Sequence, residues 1–193
     1  MLGPAAKGGL GPTQLLLVSV KTETSLSCPL MFTPSDPRFD EILELAEHAI
    51  GEGLLDRQRP RWRVLVRELL GSINEGAPSA AERRQELRAP LELEVDILEP
   101  DDMASLATSS VGSGGLCLRI AEVIPSGTPV LLSIKLAQRR QPLMIHAQVA
   151  WSKPGQLGAA FTDVFQGDRE LLEGLAVTAL LSGSPSSASA AGS

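Results

Sequence analysis

Apolar positions change their period along the chain, and the changes divide it into segments. From Ser35 the residues Phe39, Ile42, Leu43, Leu45, Ala46 and Ile50 recur at helical spacing. Ser35 or Asp36 caps the start, Pro37 fits the first turn, and Gly51 and Gly53 end the helix. A second helix fits Arg61 to Ile73, with Trp62, Leu65, Val66, Leu69, Leu70 and Ile73 on one broad face. Gly53 to Pro60 joins the two into a helical hairpin. A short linker, Gly76 to Ala81, follows, and beyond it the period becomes two. Leu91, Leu93, Val95 and Ile97 alternate with Glu92, Glu94 and Asp96, as in a half-buried strand. Further strands are expected at Gly115 to Ile120, Val130 to Leu136, Leu143 to Trp151 and Leu157 to Phe161. The separators Pro125-Ser126-Gly127, Gln138-Arg139-Arg140 and Lys153-Pro154-Gly155 carry turn residues. Asp101-Asp102 falls in a loop after Pro100. Strands this short, with no helices between them, predict antiparallel β structure, a barrel or a sandwich. A last helix, Asp168 to about Leu181, is apolar at Leu171, Leu172, Leu175, Val177 and Leu180. It is placed either across a barrel opening or against the hairpin.

The resulting organisation is a flexible leader over residues 1–34, a helical hairpin over 35–76, a mainly β domain with its helix over 82–182, and a Ser/Ala/Gly tail over 183–193. The hydrophobic fraction of 43% is enough for a core. Aromatic residues make up only 3% and tyrosine is absent, which disfavours base stacking on an aromatic platform. A net charge of -6 argues against binding a nucleic-acid polymer, although a local basic patch can still hold a compact anion. Cys28 and Cys117 show no ligand spacing with His48 or His146, so no metal site is expected. The run Leu15 to Val20 is too short for a membrane span, and a cytoplasmic location is expected.

Charge separates the two helices. The first carries Asp36, Asp40, Glu41, Glu44, Glu47 and Glu52, and the second region carries Arg57, Arg59, Arg61, Arg63 and Arg67. This pattern reads either as a site for an acidic partner or as a solvated face that neutralises its neighbour. No catalytic set emerges. His48 and His146 have no nucleophile and acid placed with them, and Gly112-Ser113-Gly114-Gly115 lacks a Walker lysine and leads into a strand. A non-catalytic protein is expected. What stands out is Arg83-Arg84-Gln85-Glu86-Leu87-Arg88 ahead of the first strand. Arginine's planar fork of donors matches phosphate oxygens and stacks on purine faces.

Arg84-x-x-x-Arg88 followed by Ala89-Pro90-Leu91 resembles the first motif of the PilZ domain, the bacterial receptor module for cyclic di-GMP. Gly114-Gly115-Leu116 resembles the end of that family's second motif, Asp/Asn-x-Ser-x-x-Gly. Ala147 to Trp151 and Leu157 to Phe161 are similar to its later strands. The resemblance covers Glu82 to Val164 and implies a small antiparallel β-barrel with a C-terminal helix, preceded here by the helical hairpin. It implies a cyclic di-GMP site built from Arg83, Arg84, Arg88, Ser110, Gly112 and Gly115, with no other cofactor. The second motif departs from the family, because aligning its last glycine on Gly115 puts Ser110 at the Asp/Asn position and Gly112 at the serine position. A one-place shift, using Ser113 and Val111, restores the serine but not the acid or amide. The implied function is a receptor that relays cyclic di-GMP to a protein partner through residues 35–75. The alternative is an adaptor without nucleotide binding that acts in motility or pilus regulation.

Overall fold

The computed structural model describes residues 36–75, 85–99 and 103–182. The leader, the 76–81 linker, Asp101-Asp102 and the tail lie outside them. Helix α1 spans Pro37–Ile50. Its cap is Asp36, whose carboxylate accepts a hydrogen bond from the Arg38 amide at 2.9 Å and satisfies one of the orphan donors of the first turn. Helix α2 spans Arg59–Glu75. Salt bridges Arg38–Glu68 at 3.2 Å and Arg61–Glu41 at 2.5 Å cross from one helix to the other. The opposite charges of the two helices are thus partly spent on each other. Both pairs are exposed, where such bridges contribute little to stability.

Seven strands follow: β1 Arg88–Ala89, β2 Glu94–Glu99, β3 Met103–Gly112, β4 Gly115–Arg119, β5 Pro129–Lys135, β6 Leu143–Lys153 and β7 Gln156–Asp163. All pairings are antiparallel, in the order β1-β3-β2-β5-β6-β7-β4. The further pairing of β3 with β4 closes β2 to β7 into a six-stranded barrel, with β1 as a flap beside β3. Closure leaves no open edge among the barrel strands and selects the barrel over the sandwich. Inward positions alternate as expected. Leu143, Ile145, Ala147 and Val149 of β6 are buried and Met144 stands outside, while Trp151 is exposed because the register with β7 shifts after Val149.

Strand β3 is a correction to the sequence reading, which placed a loop and a turn between Ile97 and Gly115. The strand escapes a period-two search because its register breaks twice, against β2 between Val95 and Ile97 and against β4 between Thr108 and Ser110. Ser105 takes a positive φ of 58°, and its amide donates to the Asp96 carboxylate at 2.8 Å. Buried Thr108 fills the gap that the irregular segment 91–93 leaves, accepting from the Leu93 amide at 2.8 Å and donating to the Leu91 carbonyl at 2.6 Å. Bulges of this kind shift side chains between faces, which erases alternation from the sequence.

Helix α3 spans Gln166–Leu181 and serves two cores. Leu171, Leu172 and Leu175 belong to the same buried cluster as the barrel residues Val95, Leu118 and Ile145. Val177 enters a second cluster with Ile42, Ala46, Trp62, Leu65 and Leu69. Helix α3 therefore shares buried contacts with both the barrel strands and the helical hairpin. Helix α1 packs more extensively on α3 than on α2. The crossing is close at Gly174, where a Cβ would come 3.0 Å from the Ala46 carbonyl oxygen. Replacing fully buried Leu172 by Ala should lower unfolding free energy by about 2–5 kcal/mol, through lost transfer energy and the cavity left behind. Urea denaturation of the full chain measures this; a loss under about 1 kcal/mol would mean the helix is not packed against the barrel core as described.

Candidate functional site

Leu87 organises the segment that leads into the barrel. Its side chain is 1% exposed and joins the helical cluster with Trp62 and Val177. Ala89, two residues on, is also buried. In the strand Arg88–Ala89 alternate residues point to opposite faces, so burial of Ala89 leaves Arg88 on the other side, with Glu86 in the bend just before it. Both line an open cleft of about 680 Å³ together with Gln85, Ala89, Pro90 and Ser110.

Backbone contact explains two of the glycines. Arg88 pairs with Gly112 and Ala89 with Val111 in the β1–β3 register. A Cβ at Gly112 would overlap the Leu87 carbonyl and the aliphatic stem of Arg88, so the flap carrying the arginine can lie flat on β3 only over glycine. At Gly115 a Cβ would overlap the Ala159 carbonyl of β7, across the strand pair that includes Gly115–Ala160. Gly115 thus serves barrel closure and is not among the described residues lining the cleft.

Of the six residues that the sequence nominated, Arg88 and Ser110 face one cleft and Gly112 lies under the arginine. Gly115 lies beyond the turn, and Arg83 and Arg84 lie outside the described residues. The Ser110 side chain is half-buried on β3. A hydroxyl there can donate one hydrogen bond and accept others, but it provides neither a carboxylate nor an amide fork.

Sequence reasoning missed the polar layer behind this cleft, which α3 supplies. Arg169 pairs with Glu86 at 3.4 Å. Buried Glu170 accepts from Arg59 of α2 at 3.0 Å and from Gln166 at 2.8 Å, and Arg59 also pairs with Asp56. Glu173 accepts from the Trp62 indole N–H at 3.0 Å and hydrogen-bonds buried Ser113 in the β3–β4 turn. These three residues connect the lead-in, the turn and α2 within little more than one helical turn. Their helical spacing was visible, but their partners are separated from them in sequence by up to 111 residues.

Residues 82–177 match the PilZ domain family. This part of the chain is a PilZ domain, reaching past the strands into α3. No curated protein matches the chain by sequence. Among solved structures, the Bacillus subtilis inhibitor of motility MotI/DgrA is similar at 19% identity and a TM-score of 0.47, over 53% of this chain and 54% of that one. The chain thus spans about half of that protein's length. The PilZ domain of CeSA from a cellulose-synthesizing bacterium is similar at 19% identity and a TM-score of 0.34, over 50% of this chain and 95% of that one. Among the described residues no helix is long and apolar enough to cross a membrane, and no cluster of His, Cys, Asp or Glu is arranged to hold a metal.

Burial pushes the Glu173 carboxyl above its ordinary value, and the hydrogen bonds from Trp62 and Ser113 only partly oppose this. The folded state therefore retains a proton that the unfolded chain has released. That contribution to stability is complete below the unfolded value and is lost as pH rises through the raised folded one. Glu173→Gln should flatten this part of the decline while keeping an acceptor for Trp62. Urea midpoints of both proteins from about pH 4 to about pH 8 test it. Parallel curves would show that Glu173 is not the titrating group.

Proposed function

We propose that this chain is a non-catalytic receptor that binds cyclic di-GMP and passes the signal to a protein partner through residues 35–75. The observation that carries the reading is the convergence of Arg88 and Ser110 on one cleft of about 680 Å³, a volume in the usual range for a small-molecule site. Membership of residues 82–177 in the PilZ family supports the choice of ligand. Arg84 and Arg88 would grip phosphate oxygens or guanine edges, each through a bidentate fork, with Arg83 adding positive charge. Gly112 keeps the arginine flap close to the barrel wall, and Ser110 offers a single hydroxyl. Ligand held by the arginine segment would bear on Leu87, and through it on the core shared by α1, α2 and α3. The helical unit is then the output surface.

One observation favours a second reading, in which the domain acts as an adaptor without nucleotide. Ser110 and Gly112 stand where the family motif has an acid or amide and a serine. Loss of two such polar contacts weakens a ligand by roughly a hundredfold or more, at 1–3 kcal/mol each. In that case residues 35–75 still bind the partner, and deletion of that segment would abolish its capture whether or not nucleotide is present.

Isothermal titration with cyclic di-GMP decides between them. The receptor reading expects saturable heat from the full chain and a loss of roughly a hundredfold or more in affinity for the Arg84→Ala, Arg88→Ala double variant, from two charged contacts of about 1.5–3 kcal/mol each. No heat at high micromolar ligand, or equal affinity in the two proteins, overturns it.

A further inference from the structure

Two residues before Arg88 sits an acid, Glu86, that lines the same cleft. Glu86 and Arg88 both line the cavity with Ser110, while Leu87 between them is buried. The Glu86 carboxylate rests on the β3–β4 turn so closely that a Cβ at Gly114 would overlap both of its oxygens. It also pairs with the Arg169 guanidinium at 3.4 Å. An intramolecular anion therefore lies between an arginine-bearing flap and a glycine turn, and an arginine of α3 neutralises it.

We infer that Glu86 is an internal competitor for the anion that the cleft accepts, and that its carboxylate sets how tightly the site holds a cyclic dinucleotide. This rests on the receptor reading above. The physical argument is Coulombic. A dianionic ligand approaching Arg88 must come close to a fixed negative charge lining the same cleft, in a half-exposed site where screening is incomplete. To settle against the glycine turn it must also displace that carboxylate, because Gly114 leaves no room for both. Displacement frees Arg169, whose guanidinium then faces the phosphates in place of Glu86. Arg169 immediately precedes Glu170, the acid that holds Arg59 of α2, so exchange of its partner occurs where the helical unit is tied to α3.

A purely structural role for the Glu86–Arg169 pair predicts the opposite of competition. An exposed pair of this kind contributes little to stability, and its loss would leave ligand affinity unchanged or lower. The test titrates cyclic di-GMP into the full chain, into Glu86→Gln and into Glu92→Gln at one fixed salt concentration. Glu92 pairs with Arg119 at 3.1 Å away from the cleft, so its variant removes the same net charge without touching the site. The inference expects Glu86→Gln to bind roughly threefold to thirtyfold more tightly, and Glu92→Gln to match the unmodified chain. Equal affinity of Glu86→Gln and the unmodified chain overturns the role of Glu86 and leaves the receptor reading intact. An equal gain in both variants overturns it as well, since net charge alone then explains the effect. Heat from Glu86→Gln alone supports the competitor and overturns the receptor reading for the unmodified chain. Absence of heat from all three proteins overturns both.

Discussion

Much of the structure depends on the burial of α3 from two sides. Leu171, Leu172 and Leu175 join the barrel core, while Val177 joins the cluster of Ile42, Ala46, Trp62, Leu65 and Leu69. Each fully buried leucine contributes about 1.5–3 kcal/mol, so the helix joins the two cores through apolar area, with the polar contacts adding register. The contact at Gly174 shows how near α1 must come for this. A helix whose apolar surface extends most of the way round needs such a two-sided environment.

The polar residues of α3 fall at the seam between the cores. Glu170 and Glu173 are tied to Arg59 and Trp62 of α2, and Glu173 also reaches Ser113 in the turn beside the cleft. Removing acids from water without partners is costly, and each here has hydrogen-bond donors. The raised pKa direction of Glu173 shows that the compensation is incomplete. This seam provides a physical connection between the turn beside the cleft and the helical unit, because a shift in one changes the surroundings of charged groups held by the other.

At the cleft, packing and chemistry make separate demands on neighbouring residues. Gly112 and Gly115 are explained by backbone approach alone, whatever ligand is present. Ser110 and Arg88 are exposed to the cleft and are not needed to fill the core. A motif position occupied by glycine in this chain can therefore be a requirement of strand closure at the same time as a loss of a ligand contact. Glu86 makes the same point for charge, since it pairs with Arg169 while lining the cleft beside Arg88.

The antiparallel β domain was legible from the sequence because most of its strands alternate cleanly, as in Leu143 to Val149, and because antiparallel neighbours need only short turns, whereas closure into a barrel came from the β3–β4 pairing. The helices were legible through Asp36, Pro37 and the apolar periods, and Arg88 stood out because an arginine pair ahead of a strand is conspicuous in an acidic chain. Strand β3 was not legible, since two register breaks and a positive φ at Ser105 remove the period that defines a strand. Nor could sequence place Glu86 on Gly114, Trp62 on Glu173 or Arg59 on Glu170, because those partners meet only when the barrel closes and α3 returns across it. Local composition and period determined which residues became strands, helices and a candidate anion site. The tertiary structure decided which charges face one another, because contacts between distant segments follow from packing and leave no mark on either segment's own period.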